Sequence, residues 1–466
     1  MDVRAMELEL ERLFRIKGLP GAAVCMIGPE GEAYARGFGV RNPQGDAVDA
    51  DTVFGIASMS KSITALALCL LESEGKLHID DPVAQYLPEF RVPGLPQSTV
   101  TLRHLCMHRA GLPPMEPLEW SIARNSHDRD GDWIRRMRAD APNDMATIGQ
   151  VLDYVANCPY PTLGMAGEYM SYSNEGYAAL CYVVDAVAGE TLEEYVQKRV
   201  FAPLGMTRSV MEDRCERARE LAQGNISQLY EIDENGDLVC DDAWSVMPPY
   251  RGCATVKSTA RDMAAYYRCI SNFGMHNGVQ VWPRSAVERM VGAEYPLEKR
   301  PYYCLGLNKR KFFDATICEH GGALHGISTH GSLLLGAGWG FAALSNLGDA
   351  ETCEMCWTMI NAVLGLPADT GHGWSQPVDY GFDAPEMLAG RYVCHEGDPV
   401  RYDIAAADGG ISVQKDGKVL RAEYCGGTLF HILDGERLMT RAEFLLRDGR
   451  AWGARFGTRI FGREDD

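Results

Sequence analysis

From Gly21 to Asn42 apolar and polar positions alternate on either side of the turn Pro29-Glu30-Gly31-Glu32, which predicts a β-hairpin. Far downstream, the runs GSLLLGAG and GFAALSN between Gly331 and Asn346 predict a second hairpin. The segments between them are mainly helical in pattern, so the expected architecture is an antiparallel sheet built from both ends of a domain around a helical insertion. The opening MDVRAMELELERLFRIKG reads as an amphipathic helix, without the basic start, apolar run and small-residue cleavage site of a signal peptide. The longest apolar run, Ile63 to Leu71, is far too short to span a bilayer.

After residue 365 the pattern changes. Residues 366–386 are rich in Gly, Pro and Asp and lack periodicity, which predicts a linker between a catalytic domain at 1–365 and a second domain at 387–466. In that second domain Asp-Gly pairs at Asp408, Asp416, Asp434 and Asp448 separate short runs such as RYDIAA and TLFHIL, a spacing that predicts a β-meander closing into a small barrel. The stretch from Pro113 to Ala141 reads as irregular, rich in charge and Trp, and is expected to be a surface loop or lid.

Composition narrows the function classes. The chain has 466 residues, 46% of them hydrophobic, and a formal charge of −19, which argues against nucleic-acid or anionic-membrane partners that need clustered Lys and Arg. Fifteen cysteines in no framework spacing fit a reducing compartment, so a cytoplasmic location is expected. Cys353 and Cys356 form one Cys-x-x-Cys pair with no second pair to complete a zinc site, and they read as helix residues. His325 and His330 likewise lack a carboxylate at ligand spacing.

Three short patterns could carry chemistry. In FGIASMSKS, Ser58 sits where an extended stretch gives way to a helical run, and Lys61, three positions on, lies one turn along the same face. A serine hydroxyl attacks only when a neighbouring base takes its proton, and an amine serves only where its surroundings favour the neutral form. The spacing alone is weak, since Ser412 and Lys415 repeat it in a strand that points them to opposite faces. The second pattern is Tyr172-Ser173-Asn174 just before a helix, the only Tyr-x-Asn among 20 tyrosines, with a phenol that could shuttle a proton. The third is His320-Gly321-Gly322 leading into a strand, where glycines would let a substrate backbone approach.

Together, in this order, the three patterns resemble the penicillin-recognising serine hydrolase superfamily, in its class C β-lactamase-like branch of esterases, DD-peptidases and D-aminopeptidases. Flanking blocks such as TLRHLCMHRAGLP, VFAPLGMTRSV and KSTARDMAAYY extend the resemblance over about residues 15 to 365. It implies an α/β (α+β) β-lactamase/transpeptidase-like fold: a five-stranded antiparallel sheet flanked by helices beside an all-helical region. The C-terminal domain more weakly resembles the lipocalin-like barrels appended to some members.

By the same resemblance Ser58 is the nucleophile, Lys61 its proton acceptor, and Tyr172 the base and acid. Asn174, His320, Gly321 and Gly322 would bind substrate, and the backbone N–H groups of Ser58 and Ala323 would form the oxyanion hole. Two departures stand out. β-Lactamases of this branch carry Lys-Thr-Gly where this chain has His320-Gly321-Gly322, so efficient β-lactam hydrolysis is not expected. Arg109-Ala110-Gly111 stands where relatives show a small hydroxyl pair before Gly. The implied activity is acyl transfer from a small ester, amide or short peptide through a Ser58 acyl-enzyme, with no metal or organic cofactor. The alternative is a catalytically silent ligand-binding or sensing module on the same fold, which would need no intact proton relay.

Overall fold

The computed structural model describes residues 1–466 apart from 128–130, 234, 293, 295 and 465–466. Two compact units emerge. The first contains residues 1–81, 125–130 and 177–372, and the second contains 82–124, 131–176 and 373–466.

The first unit is built on an antiparallel sheet. Its strands in chain order are β1 (Gly21–Gly28), β2 (Gly31–Gly39), β3 (Tyr302–Tyr303), β4 (Asn308–Phe312), β5 (Ala315–Leu324), β6 (Ile327–Leu334) and β7 (Trp339–Ser345). They lie in the order β3-β4-β5-β6-β7-β1-β2, so both predicted hairpins form and β7 pairs with β1 to join the two ends of the domain. The sheet has seven strands rather than the five implied by resemblance. The extra pairing is at one edge, where the polar, charged β4 (NKRKF) and the two-residue β3 extend the sheet beyond β5.

Both faces of the central strands are covered, which is why β1 and β6 are buried almost throughout. On one face Ala22, Val24, Met26, Phe341 and Ala343 form a core with Met6, Leu10 and Leu13 of the N-terminal helix Val3–Ile16 and with Met355, Met359 and Ile360 of the helix Thr352–Leu364. On the other, the helix Ala260–Ser271 comes so close that a Cβ on Gly340 would stand 2.2 Å from the Ala264 carbonyl oxygen. The helix Ser60–Ser73 is buried on every side from Ser60 to Leu71, in keeping with the apolar run Ala65 to Leu71, and it carries Ser60, Lys61, Ser62 and Thr64 into the interior with it.

The second unit joins short helices to a barrel. Thr101 and Thr147 close capping boxes at the starts of Leu102–Cys106 and Ile148–Ala156. The Pro113 to Ala141 segment is not an irregular loop: it holds the helices Pro117–Asn125 and Asp132–Asp140, the latter burying Ile134 and Met137 one turn apart beneath its charged face, while residues 128–130 lie outside the described residues. Eight strands then close an antiparallel barrel: β8 (Gly390–Cys394), β9 (Val400–Ala407), β10 (Gly410–Lys415), β11 (Lys418–Tyr424), β12 (Leu429–Asp434), β13 (Arg437–Arg447), β14 (Arg450–Phe456) and β15 (Arg459–Glu464).

Each barrel strand pairs with its sequence neighbour, and β8 closes on β15 through Tyr392 and Arg463. The Asp-Gly signals act as read: Asp416-Gly417 and Asp448-Gly449 both have positive φ at the two turn residues, the geometry of a tight two-residue hairpin. Phe430, Ile432, Phe444 and Phe456 fill the interior. No helix among the described residues is long and apolar enough to cross a membrane.

Candidate active site

Ser58 is reached through a constrained approach. The short strand Phe54–Gly55 pairs with Val256–Ser258, and the Ile56 N–H donates to the Val256 carbonyl at 3.0 Å. Ala57 follows in the left-handed region at φ 46°, a conformation that a residue with a side chain adopts only under constraint. The chain then makes one 3-10 turn, Ala57–Met59, and enters the helix Ser60–Ser73, so Ser58 stands at the predicted strand-to-helix junction. Ser60 and Ser62 hydroxyls donate back to the carbonyls of Ala57 and Met59 at 2.7 and 2.8 Å, which fixes the turn.

Lys61 has no exposed surface. Its Nζ donates to Ser58 Oγ at 3.0 Å and to the Cys253 carbonyl at 3.3 Å, and it lies 5.7 Å from the ring centre of Tyr177. The pair predicted by spacing is therefore a direct contact, held from the far side by the helix Arg251–Ala254, where Thr64 also donates to the Gly252 carbonyl at 2.8 Å.

The strand β5 passes beside this turn. A Cβ on Gly322 would stand 2.3 Å from the Ile56 carbonyl oxygen and 2.5 Å from Thr329 Oγ1, so only glycine allows β5 to come this near the residues preceding Ser58. Thr329 Oγ1 donates to the Ile56 carbonyl at 3.0 Å and ties β6 to the same point. Gly321 is under no such restriction, with 3.4 Å to its nearest neighbour, and Ala323 beyond it is exposed.

His320 is buried, and its Nδ1 lies 2.5 Å from the Gly321 carbonyl. A carbonyl only accepts, so Nδ1 carries the proton and Nε2 accepts from the Tyr303 hydroxyl at 2.8 Å. Burial, reinforced by the positive charge of Lys61, pushes the imidazole down to about 3, so it is neutral at physiological pH.

On the opposite face of β5, Glu319 accepts from Arg310 at 2.8 Å and from Trp357 at 3.2 Å, with His330 Nε2 at 3.3 Å. The Arg310 charge overcomes the burial penalty and holds the Glu319 carboxyl well below the usual range. Cys353 Sγ and Cys356 Sγ both abut His330, at 3.8 Å from Nε2 and 3.4 Å from its carbonyl oxygen, so the Cys-x-x-Cys pair packs against this network.

Tyr172 and Asn174 belong to the second unit, where the barrel holds them. The turn between β14 and β15 lies against them: Tyr172 N–H donates to the Thr458 carbonyl at 2.9 Å, and Ile460 N–H donates to Ser171 Oγ at 3.1 Å. The Tyr172 ring has the His108 imidazole 4.0 Å away and the Arg459 guanidinium 4.4 Å away, centre to centre. His108 Nδ1 accepts from Ser173 N–H at 3.1 Å.

Glu396 grips Arg459 with both oxygens at 2.6 Å and accepts from Asn174 Nδ2 at 3.1 Å. Burial lowers the affinity of Arg459 for its proton, but the Glu396 carboxylate prevails and holds it above its ordinary value. Glu119 completes the cluster. Burial, with the Glu396 and Glu175 carboxylates, pushes it well above the usual range.

Glu396, Arg459 and His108 carry no local signal that sequence spacing could have exposed. Two of them lie more than 220 positions from Tyr172 and become neighbours only when the barrel closes. Gly111, the last residue of the departing Arg-Ala-Gly, has φ 79° and would place a Cβ 2.9 Å from the Gly164 carbonyl, which explains the glycine but not the arginine.

Penicillin-binding protein 4* of Bacillus subtilis strain 168 is 28% identical over 225 residues, which is 46% of this chain and 44% of that protein. The unguisins hydrolase ungD of Aspergillus violaceofuscus is 22% identical over 402 residues, 79% of this chain and 66% of that one. The chain thus spans less than two thirds of the length of these curated relatives.

Among solved structures, SurE superposes with a TM-score of 0.71 at 21% identity, over 99% of this chain and 98% of that one. The octameric penicillin-binding protein homologue from Pyrococcus abyssi gives 0.67 at 22% identity, over 99% and 100%. The fold is β-lactamase/transpeptidase-like, and the Beta-lactamase family model matches residues 9–360. The chain belongs to the Beta-lactamase family.

Proposed function

We propose that this chain is a serine hydrolase or acyltransferase that forms an acyl-enzyme at Ser58 from a small ester, amide or short peptide. The observation that carries this reading is the 3.0 Å contact between Ser58 Oγ and the fully buried Lys61 Nζ at a strained turn. In the first step Ser58 Oγ attacks the substrate carbonyl carbon, and acceptance of its hydroxyl proton is assigned to the Lys61 amine. The carbonyl oxygen becomes an oxyanion, assigned to the backbone N–H groups of Ser58 and Ala323; the close approach of Gly322 to Ile56 and Ala57 supports that assignment. The carbon–heteroatom bond then breaks, and we assign protonation of the leaving group to Tyr172. Water, or an alcohol or amine acceptor, resolves the acyl-enzyme by the reverse route.

Asn174, His320, Gly321 and Gly322 are assigned to substrate binding. Because His320 is neutral and Gly321 has no hydroxyl, the third motif offers neither cation nor hydroxyl to a β-lactam carboxylate, which supports an esterase or peptidase over an efficient β-lactamase. None of the fifteen cysteines is joined in a disulfide, which supports a cytoplasmic location.

The test is the initial rate on a short-chain nitrophenyl ester at pH 7 to 8 for wild type and Ser58→Ala, on equally folded protein. Loss of the rate in the variant establishes the nucleophile. A rate that survives the substitution moves the assignment to a binding or sensing module.

A further inference from the structure

A cavity of about 230 Å³ lies within the second unit, lined by residues of β8, β13, β14 and β15 of the barrel and by the irregular segments at 113–114 and 160–163. It contains none of the residues assigned to hydrolysis. Its walls are flat and apolar: the prolines Pro113, Pro114 and Pro161, the indole of Trp452, and the Tyr160 ring stacked on His395 at 4.0 Å and 9°. Tyr160 is fixed in turn by a hydrogen bond from its hydroxyl to Glu116. Burial pushes His395 below its ordinary value, so it contributes surface and not charge.

The polar groups at the cavity are unbalanced. Arg447 lies 5.2 Å over the Trp452 ring, Arg463 also lines the space, and neither guanidinium forms an ion pair among the described residues. One carboxylate, Glu464, stands against the two. Trp452 Nε1 is buried with no hydrogen-bond partner, and a buried donor without an acceptor is costly enough to point to an absent ligand. Two guanidiniums and one free N–H around flat apolar walls complement a negatively charged acceptor on a planar body.

We propose that this cavity binds a small carboxylate with a flat apolar body, of the arylalkanoate kind. The carboxylate meets Arg447, Arg463 and Trp452 Nε1, while the body lies against the indole and the prolines. The site adjoins the segment that carries Tyr172, because Ile460 lines it and is also the residue whose N–H is held by Ser171.

The experiment titrates the full-length Ser58→Ala protein with phenylacetate by calorimetry, with indole fluorescence as a second readout and Trp452→Phe as its control. The expected result is one saturable site, about tenfold weaker for the neutral isostere phenylacetamide and about tenfold weaker in Arg447→Gln and Arg463→Gln. Arg447 is exposed, so its replacement has little fold to disturb. Binding also persists when Ser58 of the wild-type chain is blocked by a covalent phosphonate. Absence of saturation, equal affinity for the amide, indifference to both arginine variants, or loss on blocking Ser58 overturns the proposal. A rate that survives Ser58→Ala in the ester assay would overturn the hydrolase reading without touching this site.

Discussion

The guanidinium of Arg459, the first residue of the last barrel strand, lies 4.4 Å over the ring of Tyr172. With Thr458 and Ile460 bonded to Tyr172 and Ser171, three consecutive barrel residues define the surroundings of the motif tyrosine. The barrel is thus part of the setting of the proposed proton shuttle.

Arg459→Met is therefore expected to lower kcat on a nitrophenyl ester by about ten- to hundredfold with a smaller change in KM, a part of the roughly 10²–10⁴-fold that a general acid–base group contributes. Arg459→Lys should recover part of the rate, because charge returns without the bidentate hold on Glu396. Deleting residues 387–466 should depress even minimal-ester hydrolysis. Steady-state kinetics on the three proteins decide this, and an unchanged kcat in all of them would show that Tyr172 needs no barrel.

Lys61→Arg tests the identity of the base. Arginine keeps the positive charge but stays protonated at any working pH, so it cannot take the Ser58 proton. The expected outcome is a rate lowered by at least about a thousandfold, comparable to Ser58→Ala, since residues acting as a unit fail together. Appreciable turnover in the arginine variant would remove Lys61 from the proton path.

Gly321 and Gly322 should respond differently to alanine. A Cβ at Gly322 collides with the Ile56 carbonyl at 2.3 Å, whereas one at Gly321 meets nothing closer than 3.4 Å. Gly322→Ala is expected to cost about 1–3 kcal/mol of stability through the forced backbone shift and to reduce acylation, because it moves β5 away from the Ser58 turn. Gly321→Ala should fold with near wild-type stability. Urea denaturation and ester kinetics on both variants check the contrast.

What the sequence disclosed followed the range of each signal. The Ser58 and Lys61 pair was legible because three-residue spacing on a helix is a local fact, and the barrel because Asp-Gly turns with positive φ are local facts too. The seven-stranded sheet was not, since β4 is polar at all but its last position and its pairing with β5 depends on partners rather than on alternation. Pro113–Ala141 misled for a related reason: its helices are short, and their charge hides the one-turn spacing of Ile134 and Met137. Arg459 and Glu396 reach Tyr172 and Asn174 only through barrel closure, and no periodicity records that.

Two buried imidazoles set a pH window for stability. His320 and His372 are each held at about 3, by burial first and then by the positive charges of Lys61 and Arg310 respectively. Their ordinary value is about 6.5, so as pH falls the unfolded chain binds these protons before the folded one does. Stability from both groups is therefore complete above about pH 6.5 and is lost as pH falls toward 3, reaching about 2 kcal/mol for each by pH 5. His276, His395 and His431 are shifted in the same direction by burial and steepen the same slope. His372→Asn removes one titrating group, though it also removes the hydrogen bonds to Arg310 and Asn361 and so lowers stability at every pH. The diagnostic quantity is the change between pH 7 and pH 5 in urea denaturation, which should be smaller in the variant by about 2 kcal/mol. Parallel pH profiles for variant and wild type would mean that His372 titrates in the folded protein as it does in water.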